Sequence, residues 1–252
     1  MLVTKKKRLE AELKRDLVPL FNEIVSDFEI IYSQTGKTFD ADAYNAELVS
    51  LLIAHYRKVL DKFGFLLSDR EDINSEELEN LLQSAHLLYS LNRSDKQSKI
   101  ITSTTNSDID KSINEATSFL LVMGLSTSRD SITEEASKRL SSKLTGRSTV
   151  ISNVETQGVA EEARLMERIA LSGDSPYGGL TGTGLELYDN PTKTWVADLD
   201  EKTRPAHVLA NGQTVPYNGL FLVKGQYLRF PGDMSFGASM DNVANCRCEV
   251  SY

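Results

Sequence analysis

The sequence predicts an α+β protein in which an elongated helical N-terminal body precedes a small β-rich C-terminal module. Up to about residue 171, apolar side chains recur at three- and four-residue steps, which places them on one face of a helix. After Ser172 the chain becomes rich in glycine, and short aromatic and branched segments alternate with turn residues. We therefore divide the chain into a helical body, residues 1–146, and an α+β module, residues 147–252.

Composition and charge are those of an ordinary globular protein. The chain has 252 residues, of which 40% are hydrophobic and 25% charged, so it can bury a core without disulfide bonds. Apolar runs are too short for a membrane helix, and none follows Lys5–Arg8 as a secretory signal requires. A net charge of −8 argues against a general nucleic-acid-binding protein. The basic cluster Lys5–Arg15 suits a solvated helix start, and a weak DNA contact is the alternative.

Several helices are predicted in the first part of the chain. Apolar periodicity, capping residues and glycine stops bound them at 9–31, 40–64, 75–89, 108–124, 131–144 and 148–171. Pro19 is expected to kink or split the first helix, and Asp40 or Asp42 to cap the second. The stretch Asn92–Ser107 is rich in serine, threonine, asparagine and lysine. This composition predicts a linker or a mobile loop between two helices.

The C-terminal part carries three predicted strands separated by turn signals. The strand segments combine aromatic and branched residues and cover 193–197, 219–223 and 226–230. The turn signals are Asn211-Gly212, Asn218-Gly219, Lys224-Gly225 and Pro231-Gly232. Asn211-Gly212 predicts a hairpin, because both residues tolerate a positive φ. A glycine-rich crossing, Gly173–Gly184, joins the helices to these strands.

Two cysteines and one histidine form the candidate metal site. Cys246 and Cys248 are separated by a single residue, and such close neighbours bridge each other poorly. With His207 they supply two thiolates and an imidazole, which are donors that zinc prefers. Three carboxylates are candidates for a fourth ligand: Asp198, Asp200 and Asp233. The alternative is that both thiols are small buried residues and His207 binds a backbone carbonyl, since common zinc knuckles have a longer gap between cysteines.

No catalytic residue is assigned from the sequence. Arg204 is expected to stabilise a turn by pairing with Asp200, and Arg247 to anchor the chain end by pairing with a carboxylate such as Asp233. The sequence has neither a Gly-x-Ser-x-Gly elbow nor a phosphate-binding loop that ends in Gly-Lys-Ser/Thr. The two other histidines lie on apolar helix faces and are interpreted as structural; they are His55 and His86.

Five elements of the module follow the order and spacing of one protein family. They are Lys193-Thr194-Trp195, the segment from Asp200 to His207, Asn211-Gly212-Gln213, Pro231-Gly232-Asp233 and the closing Asn245-Cys246-Arg247-Cys248. Together they resemble the C-terminal domain of the Mu-F-type minor head proteins of tailed bacteriophages. The resemblance covers residues 147–252. A helical N-terminal body fits this family, although helices alone identify no family.

The resemblance implies a structural virion component rather than an enzyme. Such a protein associates with the portal or the capsid interior and acts in head assembly, and in genome packaging or ejection. The expected partners are the portal protein and the major capsid protein, with multiple copies per virion. The expected location is inside the head near the portal, and the host cytoplasm during assembly. Two alternatives stay open: a metal-dependent hydrolase or nucleic-acid-processing enzyme using His207, Cys246 and Cys248, and an adaptor that binds proteins through its helices.

Overall fold

The computed structural model describes residues 2–64, 75–171 and 192–252 of the chain. The first two ranges are helical and the third contains short strands, so the predicted α+β class is confirmed. The glycine-rich crossing at Gly173–Gly184 lies outside the described residues. Within these ranges, no helix combines the length and the apolar character that crossing a membrane requires.

Long helices make up the first two described ranges. They are α1 (Leu2–Thr35), a 3-10 turn (Ala41–Tyr44), α2 (Asn45–Phe63), α3 (Ser75–Val122) and α4 (Arg129–Leu171). The predicted interruption at Pro19 is wrong in so far as α1 continues through this residue. Leu17 and Leu20 on either side of it are buried, so packing maintains the helix despite the lost backbone hydrogen bond. Asp40 caps the 3-10 turn, because its side chain accepts a hydrogen bond from the Asp42 amide at 3.0 Å.

The polar stretch Asn92–Ser107 is part of α3, so the predicted linker is wrong. The hydroxyls of Ser94, Ser98 and Thr105 donate to backbone carbonyls three or four residues earlier, at 3.0, 3.0 and 2.8 Å. These side chains are buried and lie on one face, where their small size allows close packing. Similarly, the two helices predicted over 131–144 and 148–171 are one helix, α4.

Short elements form the third range. They are β1 (Thr192–Val196), α5 (Pro205–Ala210), β2 (Thr214–Pro216), β3 (Phe221–Val223), β4 (Gln226–Leu228), α6 (Met240–Val243) and β5 (Glu249–Ser251). One antiparallel sheet has the order β2-β1-β5, and β3 and β4 form a separate hairpin. Lys224 and Gly225 connect that hairpin with φ values of 52° and 73°, as a two-residue turn of this type requires.

The turn at Asn211-Gly212 has a different role from the predicted hairpin. It joins α5 to β2, so the hairpin prediction is wrong at this position. The amide of Gly212 donates to the Trp195 carbonyl at 2.8 Å, and the amide of Trp195 donates to the Gln213 carbonyl at 2.9 Å. The turn therefore connects the end of α5 by hydrogen bonds to β1, the central strand of the sheet.

The described residues form two compact units. The first comprises Met1–Leu9, His55–Ser90 and Asn153–Tyr252, and the second comprises Glu10–Ala54 and Leu91–Ser152, in each case within the described ranges. The first unit contains all the strands and the candidate site. Its β-rich core is centred on Trp195, whose ring meets that of Phe221 edge to face at a centroid distance of 5.4 Å.

Candidate metal centre

Three short elements position the candidate ligands. His207 lies in α5, which begins at Pro205, a residue suited to the first helical position because of its fixed φ. Cys246 and Cys248 lie between α6 and β5. Asn245 turns the chain before them with a φ of 53°, which asparagine tolerates better than most residues. The pairing of β5 with β1 then places the thiols beside the Trp195 core.

The three candidate ligand atoms converge. Nδ1 of His207 lies 3.4 Å from Sγ of Cys248 and 3.5 Å from Sγ of Cys246. All three atoms lie within 4.8 Å of one another. In a tetrahedral zinc site the usual bond lengths separate a nitrogen and a sulfur ligand by about 3.6 Å. The cluster of His207, Cys246 and Cys248 could therefore hold a metal ion with little movement of the side chains.

A chain of hydrogen bonds determines which imidazole nitrogen of His207 carries a proton and which one can bind a metal ion. The amide of Ser239 can only donate, so the atom of Gln226 that lies 3.1 Å from it is the oxygen, Oε1. This oxygen and the carbonyl of Val223 both accept from Nδ2 of Asn242, at 3.0 and 3.2 Å. Oδ1 of Asn242 consequently faces Nε2 of His207 at 3.0 Å, and that nitrogen must carry a proton. Nδ1 of His207 is therefore the nitrogen available to bind a metal ion.

The protonation of the thiols follows from their contacts. Hydrogen bonds from Cys246 and His207 lower the pKa of Cys248 to about 5, although burial opposes this change. The hydrogen bond to Cys248 and burial raise the pKa of Cys246. Burial lowers the pKa of His207, but hydrogen bonds to Cys248 and Asn242 outweigh it, so the net change is upward. Of the two thiols, Cys248 therefore loses its proton more easily, and Nδ1 of His207 faces it on the side where a metal ion would bind.

The carboxylates considered as fourth ligands are bound to arginines. Nη1 of Arg247 lies 2.8 Å from Oδ2 of Asp198 and 2.6 Å from Oδ2 of Asp200. Arg247 therefore pairs with carboxylates, as predicted, but its partners are Asp198 and Asp200 rather than Asp233. The direction of the Arg247 side chain follows from alternation along an extended segment. Cys246 and Cys248 point inward, so Arg247 between them points outward. The hydrogen bond from Arg247 also holds the pKa of Asp200 well below its usual range.

The predicted ion pair between Arg204 and Asp200 is also wrong. The guanidinium of Arg204 donates instead to the carbonyl of Ala244. Asp233 is buried and accepts a hydrogen bond from the amide of Arg229 at 2.9 Å. It also lies 3.1 Å from the guanidinium of the same residue. Asp233 therefore contributes to the packing of the module and does not belong to the ligand cluster.

The first unit contains a set of buried charges that the sequence did not predict. The guanidinium of Arg229 donates two hydrogen bonds to the carboxylate of Glu162, at 2.8 and 2.7 Å. Lys6, counted above in a basic surface cluster, is buried and lies 2.8 Å from Oε1 of Glu249. The second half of α4 is enclosed, and its charged residues are buried as fully as its apolar ones. The polarity of the sequence does not predict this enclosure, so the buried charges could not be recognised from the sequence alone.

The two other histidines, His55 and His86, lie in α2 and α3 of the first unit. His55 is buried, and its Nε2 lies 2.9 Å from Oγ1 of Thr156. His86 is also buried, and burial lowers its pKa to about 4, so it is neutral at physiological pH. Neither residue belongs to the ligand cluster.

Comparison with known proteins adds no family assignment. No protein-family model matches the chain, and neither a curated protein nor a solved structure is significantly similar to it.

Proposed function

We propose that this chain is a structural minor head protein of a tailed bacteriophage, of the Mu-F type, and that a zinc ion bound to His207, Cys246 and Cys248 closes its C-terminal module. One observation carries the proposal. The five sequence elements on which the resemblance rests belong to one small module, and each makes a packing or hydrogen-bond contact within it. Such a distribution is expected for a structural framework.

The contacts of these elements are specific. The ring of Trp195 meets that of His207 edge to face at a centroid distance of 5.6 Å. Oδ1 of Asn211 accepts from the Ala197 amide at 2.9 Å, and Oε1 of Gln213 accepts from the Leu222 amide at 2.8 Å. Asp233 binds the backbone and side chain of one arginine, and Cys248 is buried in the core. These residues link strands, turns and the chain end, which supports a role in the stability of the module.

Zinc is the metal that the donor set favours. Two thiolates and an imidazole are soft and intermediate donors, and they suit Zn²⁺ better than Mg²⁺ or Ca²⁺, which prefer oxygen ligands. The ligands come from α5 and from the segment before β5, which are separated by about forty residues of sequence. A zinc ion there would cross-link the end of the chain to the module, which stabilises a small domain.

The partners and the location follow from the same proposal. The portal protein and the major capsid protein are the proposed partners, with multiple copies per virion inside the head near the portal. Exposed basic residues of α1, such as Lys7 and Arg15, would make at most a weak contact with DNA, because the chain as a whole is acidic.

The test is genetic and biochemical. The gene is deleted from the phage that encodes it and restored in trans, and proheads and virions are purified by density gradient. Mass spectrometry is expected to find the protein in both particles, and its deletion to reduce the infectivity per particle. Normal heads and virions without the protein would contradict the proposal and favour the adaptor. A hydrolytic turnover that chelation abolishes would favour the metal-dependent hydrolase, for which the nearby Asp198 is an unsuitable base because it binds Arg247.

A further inference from the structure

We propose that the metal ion bound by His207, Cys246 and Cys248 keeps one coordination position open to solvent, where Arg204 favours an exchangeable anionic ligand. This inference rests on the metal site of the proposed function and adds a binding property to it. The ligand would be a hydroxide, or a small monodentate anion that displaces a bound water molecule.

The shape of the site is the first argument. The three ligand residues line one small pocket, together with Asp198, Lys202, Thr203, Arg204, Asn245 and Arg247. Because His207, Cys246 and Cys248 line the same pocket, a metal ion that they bind would face it. A zinc ion with three protein ligands completes its tetrahedron with a water molecule or a substrate atom. The pocket gives such a ligand access from solvent.

The opposite side of the imidazole is closed. Nε2 of His207 is bound to Oδ1 of Asn242, which is itself buried. The indole ring of Trp195 packs against the imidazole edge to face. Cys248 belongs to the hydrophobic core around that indole. A fourth ligand can therefore approach the cluster from the pocket and is excluded from the core side.

The carboxylate that lines the pocket is held by another group. Asp198 and the adjacent Asp200 both bind Arg247, at 2.8 and 2.6 Å. Of the described residues, only His207, Cys246 and Cys248 form a cluster with metal-ligand spacing. An exchangeable ligand therefore competes with carboxylates that are already neutralised by an arginine.

Electrostatics explains the preference for an anion. A zinc ion with two thiolates and a neutral imidazole carries no net charge. The charged groups around the pocket therefore determine whether an anionic fourth ligand is favoured. Arg204 lines the same pocket as His207, Cys246 and Cys248. A cation in the wall of this pocket stabilises a negative charge on a ligand that enters it. The anchor of Arg204 on the Ala244 carbonyl keeps it in this position.

The experiment uses the full chain with Co²⁺ in place of zinc. Co²⁺ bound by thiolates absorbs visible light, and its absorption bands shift when a ligand is exchanged. Azide is titrated into the cobalt protein in chloride-free buffer, with wild type beside Arg204→Gln and Arg204→Lys. Glutamine keeps a hydrogen-bond donor but has no charge, whereas lysine keeps the charge. We expect a saturable shift in wild type, about tenfold weaker azide binding in Arg204→Gln, and near-normal binding in Arg204→Lys.

The outcomes separate this inference from the metal site itself. A chain that binds no Co²⁺ at all would contradict the metal site and with it the inference. Cobalt bound with thiolate absorption bands that azide leaves unchanged would overturn the open position alone. A shift in wild type with equal azide affinity in Arg204→Gln would overturn the assignment of anion preference to Arg204. The stoichiometry of Co²⁺ in each variant shows whether the substitution has left the site folded.

Discussion

Two arginines of the C-terminal part each bind two carboxylates, one at a buried site and the other at an exposed site. Arg229 donates two hydrogen bonds to Glu162, at 2.8 and 2.7 Å, and lies 3.1 Å from Asp233. Both of these carboxylates are buried. Arg247 binds Asp198 and Asp200 with a side chain that is 40% exposed. We therefore expect Arg229→Met to destabilise the protein far more than Arg247→Met.

The size of the difference follows from burial. Removal of one partner from a buried ion pair leaves an uncompensated charge and costs about 3–5 kcal/mol. Arg229 neutralises two such carboxylates and donates to Oγ of Ser235 at 2.8 Å. The buried ammonium of Lys193 lies close enough that the charge of Arg229 lowers its pKa, so Lys193 would offset part of the loss. We expect a loss of about 3 kcal/mol for Arg229→Met, at the lower end of that range.

The assay is urea denaturation followed by tryptophan fluorescence. The chain has a single tryptophan, Trp195, which is buried in the core of the module and therefore reports its unfolding. Arg247→Met is the matched control, and its free energy of unfolding should stay close to that of wild type, because exposed ion pairs contribute little. Equal losses in the two variants, or no loss in Arg229→Met, would refute the assignment of a stabilising buried ion pair.

Three further predictions concern the same unit. Nζ of Lys193 is buried without a hydrogen-bond partner among the described residues, and burial lowers its pKa from 10.5 to about 8. The ammonium of Lys193 holds its proton more tightly in the unfolded chain than in the folded one. The free energy of unfolding should therefore increase as the pH rises from about 8 to 10.5. Lys193→Met should add on the order of 2–3 kcal/mol to the free energy of unfolding at pH 7, and no gain in the urea assay would contradict this. Asn242→Leu should weaken zinc binding by about 10–100-fold in competition with a chelating dye, because Nε2 of His207 loses its hydrogen-bond acceptor. Equal affinity in wild type and Asn242→Leu would show that this acceptor does not support the ligand. The raised pKa of Cys246 means that zinc binding should release about one proton near neutral pH, and that affinity should fall as the pH is lowered. Calorimetry in buffers of different ionisation enthalpy measures this release, and an absence of proton release would contradict the ligand assignment.

Local sequence patterns were sufficient for the fold class and for the candidate ligands. Helical periodicity and turn residues act over a few positions, so they predicted that the first two described ranges are helical and that a turn at Lys224-Gly225 separates two strands. The ligand types also carry their own chemistry: two thiols and one imidazole suggest a metal ion wherever the fold brings them together. That His207 lies beside Cys246 and Cys248 depends on the pairing of β1 with β5, which the sequence did not reveal.

The wrong predictions concern residues whose structure or partners depend on tertiary contacts. Asn92–Ser107 looked like a linker because it is polar, but small hydroxyl side chains can bond to their own helix and pack on its buried face. The partners of Arg247 depend on the direction in which its side chain leaves the backbone. The pairing of Arg229 with Glu162 spans 67 residues of sequence. Sequence spacing carries no information on such contacts, since the enclosure of α4 creates them.

The most direct measurement is the metal content of the purified full chain, determined by elemental analysis for wild type and for Cys246→Ser/Cys248→Ser. We predict nearly one zinc ion per wild-type chain. The double variant should lose this zinc and unfold at a lower temperature when Trp195 fluorescence is followed, because the cross-link between α5 and the chain end is lost. A wild-type chain without metal, together with unchanged stability in the variant, would contradict a metal ion at His207, Cys246 and Cys248.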